Sequence, residues 1–340
     1  MQQTLWVPWE ISCCFLIADV RIGFFFCPSV NLCKILLILK EYHVMKTNSI
    51  FCGAATALVT PMNANGVDYP ALKKLIDWQI EEGIDALVIC GTTGEGSTLT
   101  DEEHREVLRF SLEVAAGRVP MIAGTGSNDT AYAIDMTKYA CELGYDGMLI
   151  VTPYYNKTTQ KGLVAMFNAI ADASTKPIIL YNVPSRTGVS IEPATYAKLA
   201  EHPMIAAIKE ANGNISKIVE TLALVGDKLD LYSGNDDQIV PLMACGGKGV
   251  ISVLSNVAPK ETSLMCKKVF DGDIAGAMEM QKQYLPLINS LFCEVNPIPV
   301  KAAVAAMGYC ENYLRLPLVP MEDAHRENML QKMRDMGINV

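Results

Sequence analysis

From Ile50 to Val253 the chain repeats one pattern: a short apolar, β-branched run, a polar or glycine-bearing loop, then apolar residues at helical spacing. Eight runs read as strands: Ala54–Thr60, Ala86–Cys90, Met121–Gly124, Gly147–Val151, Ile178–Tyr181, Ile205–Lys209, Leu229–Ser233 and Gly249–Val253. They lack a clean apolar–polar alternation, which suits parallel strands covered on both faces. The helical stretches carry their own start and stop signals. Leu72, Leu75, Ile76 and Ile80 make one apolar stripe that ends at Gly83. Thr100-Asp101-Glu102-Glu103 is a capping box ahead of Val107, Leu108 and Leu112. Met136, Tyr139, Ala140 and Leu143 form a face that stops at Gly144, and Ile215, Ile218, Val219 and Leu222 form another that stops at Gly226.

Eight strand–helix units predict an α/β protein, a closed (β/α)8 TIM barrel rather than an open doubly wound sheet. Beyond the eighth strand no strand pattern recurs, and Ala258–Asp271, Ile274–Cys293, Pro299–Met307 and Met321–Met336 read as helices. The expected organisation is a catalytic barrel over 45–272 and a helical C-terminal region over 273–340. Past the last barrel helix, pattern alone does not place the residues.

Residues 1–44 read differently. They hold four cysteines, two of the three tryptophans and Phe24-Phe25-Phe26, with apolar stretches broken by Asp19, Arg21, Pro28, Lys34 and Lys40. No run reaches the roughly 18 residues of a spanning helix. A signal peptide fits poorly, since basic residues are missing from its start and no small-residue cleavage site follows. Met45-Lys46-Thr47, directly before the first strand, looks like a natural start. The segment is expected to be a non-native or disordered extension, the alternative being a membrane-attaching leader.

Composition narrows the function. Half the residues are hydrophobic and 19% are charged, as in a well-buried globular chain. The net charge of -9 argues against a nucleic-acid or anionic-membrane surface. None of the 11 cysteines has C-x-x-C spacing, so zinc and thioredoxin-like readings fail. The cysteines sit mostly in apolar runs, as buried free thiols do, and a reducing cytoplasm is the simplest setting.

In such barrels the chemistry lies at the C-terminal ends of the strands. Strand two leads into Gly91-Thr92-Thr93-Gly94-Glu95-Gly96-Ser97, a near miss to a phosphate loop, with serine where lysine is required. It reads either as backbone and hydroxyls holding a carboxylate or as an ordinary tight loop. Gly124-Thr125-Gly126 after strand three reads as a second close-approach loop. After strand four, Tyr154 and Tyr155 either divide packing from hydroxyl presentation or both pack at a subunit contact. Strand five gives Tyr181-Asn182-Val183-Pro184-Ser185-Arg186, whose arginine can clamp a carboxylate. Strand six ends in Lys209. A lysine there either reaches into solvent or, if desolvated, becomes a free amine able to attack a carbonyl. Strand seven ends in Gly234-Asn235-Asp236-Asp237, whose carboxylates are expected to cap the next helix.

Gly-Thr-Thr-Gly-Glu at 91–95, Tyr-Asn-Val-Pro-Ser-Arg-Thr-Gly at 181–188 and Ile-Lys-Glu at 208–210 together resemble the dihydrodipicolinate synthase family, from about Ile50 to the C-terminus. The sister lyases of N-acetylneuraminate typically have serine at the position of Thr92 and lack Arg186. The resemblance implies a cofactor-free lyase that joins pyruvate to L-aspartate 4-semialdehyde on the way to diaminopimelate and lysine. It implies that Lys209 forms the Schiff base and Tyr181 moves protons. Thr93 would link Tyr181 to Tyr155 of a neighbouring subunit. Thr92 and Thr93 would hold pyruvate's carboxylate, Arg186 that of the semialdehyde, while Gly234 and Ile251 line the pocket. A homotetramer of two tight dimers is implied, with no metal, nucleic-acid or membrane partner. Lysine-inhibited members carry a glutamate where Tyr132 stands, beside positions matched here by His104, Asn128 and Tyr154, so lysine inhibition is expected to be weak or absent. The competing readings are an aldolase taking another aldehyde and a catalytically silent barrel.

Overall fold

The structure, a computed structural model, describes residues 49–340. The extension expected over 1–44 lies outside the described residues. Eight parallel strands close into a barrel: Gly53–Ala57, Ala86–Ile89, Met121–Gly124, Gly147–Val151, Ile178–Asn182, Ile205–Glu210, Asp230–Ser233 and Gly249–Ser252. Each pairs with its sequence neighbours, and the first closes the ring by pairing with both the second and the eighth. The eight predicted runs are these strands, shifted at their ends by a few residues. The sequence pattern did not reveal the hairpin Met62–Asn63 with Gly66–Val67, nor the helices Gln160–Asp172 and Pro193–Leu199.

The strand residues divide into two apolar layers, as the period of two requires. Ala55, Ala86, Val88, Ile122, Leu149, Ile179, Ala207 and Ile251 fill the barrel interior. Ala54, Leu87, Ala123, Ile150, Leu180 and Ile208 face the helices. Small alanines on the first two strands leave the interior room for larger side chains opposite, among them stacked Phe51 and Tyr232 with ring centroids 4.2 Å apart.

Helix starts follow the local chemistry. The expected capping box is complete: the Thr100 side chain accepts from the Glu103 N–H at 3.2 Å, and the Glu103 carboxylate accepts from the Thr100 N–H at 2.9 Å. Such a cap stabilises a helix by about 1 kcal/mol. Gly144 ends its helix in the left-handed region at φ 99°, as a C-terminal glycine should. Gly226 does not: it stays right-handed at φ -63°. On that same helix Val219, read as core-facing, is 48% exposed, because the buried stripe runs through Ile218, Thr221 and Val225.

The C-terminal helices are Pro259–Phe270, Ile274–Leu291, Ile298–Ala306 and Asp323–Asp335, close to their expected bounds. Among the described residues no helix is long and apolar enough to cross a membrane. The seven cysteines among the described residues are all free, but only Cys90 and Cys266 are buried. The expectation of mostly buried thiols therefore fails: Cys52, Cys245 and Cys293 lie in apolar surroundings in sequence yet at the surface in space.

Candidate active site

Strand six carries the central feature through an irregularity in its pairing. Ile178 pairs with Ile205 but Ile179 pairs with Ala207, so Ala206 is an extra residue on its strand. A one-residue slip turns every following side chain to the opposite face. Ile205 faces the helices, and beyond the bulge Ala207 faces the interior. Lys209, two residues on, follows Ala207 inward. It pairs in register with Tyr181, itself inward-facing after Ile179. The Lys209 Nζ lies 4.3 Å from the centre of the Tyr181 ring.

Lys209 is only 6% exposed. Burial disfavours its ammonium and pulls its pKa down to about 7; nearby Asp236 opposes that fall and Arg186 adds to it. Of the two readings open for a strand-end lysine, the desolvated amine is the one realised. Tyr181 is buried too, and burial raises its phenol above the usual value, against the charge of Arg186 and the hydroxyl of Thr92.

Gly234 has a geometric reason to be glycine. A Cβ there would stand 2.8 Å from the Ala211 Cβ and 3.2 Å from the Lys209 Cε, crowding the amine's own stem. Ile251, 1% exposed, is part of the interior layer beneath. Arg186 lies in the short helix Pro184–Thr187, and its Nη2 donates to the Asn296 carbonyl at 2.9 Å. Thr93 is buried, and its hydroxyl accepts from the Asn296 Nδ2 at 3.1 Å.

A cavity of about 550 Å3 opens over these strand ends. Gly91, Thr92, Tyr181 and Arg186 line one part, and Asp101, His104, Tyr132 and Tyr154 line another. In the second part the His104 Nε2 donates to the Gly124 carbonyl at 3.0 Å, leaving its Nδ1 to accept from the Tyr132 hydroxyl 3.4 Å away. Asp101 is already paired with the Arg105 Nε at 2.9 Å.

The loop glycines sit close to the chain's own backbone: Cβ atoms at Gly96 and Gly124 would each lie 2.5 Å from the Cys90 carbonyl oxygen, and one at Gly126 would lie 2.5 Å from the Val151 nitrogen. One expectation is revised at the seventh strand end. Asp236 does not cap the helix that follows it. Its carboxylate accepts from the Val253 and Leu254 N–H groups at 2.9 and 2.8 Å, tying the seventh strand end to the eighth. Within one chain Tyr155 is not brought to Lys209. It stands outside, 91% exposed, with its backbone in the left-handed region at φ 66°. The Thr93 hydroxyl accepts from Asn296, and the threonine whose side chain hydrogen-bonds Tyr181 is Thr92, not Thr93.

Other residues escaped the sequence reading. Glu95, within the Gly-Thr-Thr-Gly-Glu loop, forms a fully buried ion pair with Lys301 on the helix Ile298–Ala306. Glu210 is held behind Lys209 by the Asn182 amide, the Tyr196 hydroxyl at 3.0 Å and the Asn212 N–H at 2.9 Å, and burial lifts its pKa to about 7. The signals were weak: Glu210 lay inside a quoted motif, while Asn296 and Lys301 sit some two hundred residues from their partners.

The chain matches the model of the dihydrodipicolinate synthetase family over residues 50–335. The 4-hydroxy-tetrahydrodipicolinate synthase of Clostridium perfringens is 51% identical over 289 residues, spanning 85% of this chain and 99% of that protein. The crystal structure of dihydrodipicolinate synthase from Aquifex aeolicus superposes with a TM-score of 0.84 at 43% identity, covering 85% of this chain and 99% of that one. The chloride-inhibited enzyme of Acinetobacter baumannii, solved in complex with pyruvate, gives a TM-score of 0.83 at 45% identity over 84% of this chain and 99% of its own. With a barrel of this topology, a buried strand-six lysine against a strand-five tyrosine, and likeness along nearly the whole length of these relatives, the chain belongs to the dihydrodipicolinate synthetase family.

Proposed function

We propose that the protein is a 4-hydroxy-tetrahydrodipicolinate synthase that condenses pyruvate with L-aspartate 4-semialdehyde, the committed step toward diaminopimelate and lysine. The observation that carries this is the buried amine of Lys209, with its pKa near 7, lying against Tyr181. A free amine there attacks the ketone of pyruvate and expels water, leaving an iminium as the electron sink. Loss of a methyl proton gives the enamine, which bonds to the aldehyde carbon of the second substrate. The amine of that substrate then displaces Lys209 from the imine, closing the ring and freeing the lysine. The chain's own amine completes this chemistry without a cofactor.

The surrounding residues support the assignment. Tyr181 takes and returns protons beside the imine. The hydroxyls of Thr92 and Thr93 and the loop N–H groups suit pyruvate's carboxylate, and Arg186 at the mouth suits that of the semialdehyde. Gly234 and Ile251 shape the wall next to the lysine. Tyr155, projecting fully from its own chain, suits completion of the site in a second copy. On this reading the assembly is a homotetramer of two tight dimers. The free cysteines among the described residues fit a reducing cytoplasm.

The test is a coupled assay of protein beginning at Met45, with pyruvate, aspartate semialdehyde and a reductase reporting product as NADPH consumption. Activity in the wild type that Lys209→Ala abolishes, together with borohydride trapping of pyruvate on the wild type alone, is the expected result. A folded wild type that traps pyruvate but ignores aspartate semialdehyde would pass the assignment to an aldolase with another aldehyde.

A further inference from the structure

The facing of Lys209 depends on the extra residue at Ala206, and the apolar pattern of strand six does little to hold that residue in place. Ala206 and Ala207 are the same amino acid, and Ile208 is apolar whichever way it faces. Slipping the strand by one residue would exchange one alanine for the other and send Lys209 toward the helices.

What separates the two facings is Glu210. It pairs in register with Asn182, as Lys209 does with Tyr181. One residue past inward Lys209, it points out of the barrel toward Tyr196 of the helix Pro193–Leu199. There its carboxylate, 2% exposed, accepts from the Asn182 Nδ2 at 2.9 and 3.1 Å, the Tyr196 hydroxyl at 3.0 Å and the Asn212 N–H at 2.9 Å. The Asn182 amide cannot turn over, because its Oδ1 accepts from the Ile191 N–H at 3.1 Å. Asn182 and Tyr196 are fully buried, so water does not replace the carboxylate for them. In the slipped strand these donors would lose their acceptor, and the carboxylate would enter the apolar layer of Ile179 and Ile251. Both changes are costly.

We propose that Glu210 is a positioning residue, a register lock: its bonds to Asn182, Tyr196 and the Asn212 N–H hold strand six in the bulged pairing and so keep Lys209 turned to Tyr181. The inference deepens the proposed role of Lys209 and rests on that role only for its kinetic readouts. The lock needs acceptors rather than a charge. In Glu210→Gln the amide oxygen can accept from Asn212 and Asn182, while the amide nitrogen donates to Tyr196, whose hydroxyl either gives or receives.

The test compares Glu210→Leu, Glu210→Gln, Tyr196→Phe and the double variant Glu210→Gln with Tyr196→Phe. Two readouts are taken on each. Competitive acetylation gives the pH midpoint of Lys209 without any substrate, and borohydride trapping with steady-state kcat and KM follows the reaction. In Glu210→Leu the midpoint is expected to rise from about 7 toward the ordinary lysine value of about 10.4, and trapping to slow about tenfold to a hundredfold. Deleting an anion would by itself lower an ammonium's pKa, so a rise reports lost burial. Glu210→Gln and Tyr196→Phe singly should keep the midpoint and stay within about threefold in trapping and kcat, because acceptors for Asn182 and Asn212 remain. Their combination leaves the amide nitrogen without a partner and should fall to the level of Glu210→Leu, a loss far beyond the sum of the two.

A Glu210→Leu protein that traps pyruvate at the wild-type rate with an unmoved midpoint would overturn the proposal. Glu210→Gln as impaired as Glu210→Leu would overturn it too, by making the charge the cause. Should Glu210→Leu not fold, the double variant decides, and simple additivity there would refute the lock. A wild type that fails to trap pyruvate would sink the synthase reading, while the acetylation midpoints would still decide the lock.

Discussion

Lys209 is a usable nucleophile near neutral pH because its surroundings disfavour the ammonium, and two nearby charges tune that effect in opposite directions. The free amine grows as pH rises through about 7, so kcat/KM for pyruvate is expected to climb across that value and level off above it. Asp236→Asn removes the charge that favours the ammonium and should move the limb to lower pH. Arg186→Gln removes a repelling charge and should move it higher. Glu210 titrates in the same window, but its shift comes from burial, opposed by the hydrogen bonds from Tyr196, Asn212 and Asn182. Opposite displacements in the two variants therefore identify the amine, and an unmoved limb in both would assign it to Glu210. The second part of the cavity bears on regulation. Tyr132 brings a hydroxyl to His104 where a countercharge for an ammonium would be needed, and Asp101 already serves Arg105. Millimolar lysine is expected to leave more than half the activity, and Tyr132→Glu to increase the inhibition; a wild type inhibited by more than half would refute this.

The loop after strand two depends on elements placed late in the chain. Lys301 and Glu95 are paired and wholly buried. Arg315 grips Glu103 with two nitrogens, at 2.5 and 2.6 Å, and the Thr98 carbonyl at 2.7 Å. The helical addition is thus the fastening of the Thr92-Thr93 loop. Removing one partner of a buried pair strands the other charge, so Lys301→Met should cost about 3–5 kcal/mol in chemical denaturation. Adding Glu95→Gln should recover most of that loss. A single variant costing less than about 1 kcal/mol, the range of exposed pairs, would show that water reaches the pair.

At the scale of the whole molecule, Tyr155 is the residue a single chain leaves unused. A fully exposed tyrosine held in left-handed backbone is a poor choice for an isolated surface. If it completes the site of a second copy, Lys209→Ala and Tyr155→Phe chains should complement each other. A mixed dimer contains one site with both the lysine and the tyrosine intact, so the mixture should regain activity well above either parent. Activity no higher than the parents', with mixed dimers shown to form, would place Tyr155 outside the reaction.

Much of this protein is written locally. Strand runs, the Thr100 capping box and the stop at Gly144 depend on neighbours within a turn or two, and short-range periodicity displays them. The barrel follows from eight such units, and its strand ends name the residues to inspect. Lys209, Tyr181 and Arg186 were therefore legible from sequence, because the fold brings the ends of consecutive strands to one rim. What sequence does not encode visibly is contact between distant segments. The bond from Asn296 to Thr93 spans 203 residues and that from Lys301 to Glu95 spans 206, with no spacing rule to link them. The facing of Lys209 is the finest case. Counted along an ideal strand from outward Ile205, it would point to the helices; the extra residue at Ala206, fixed only by pairing with strand five, turns it into the barrel. The amino acids alone determined that a lysine stands at that strand end, and the tertiary pairing decided that it is buried, short of water and ready to lose its proton.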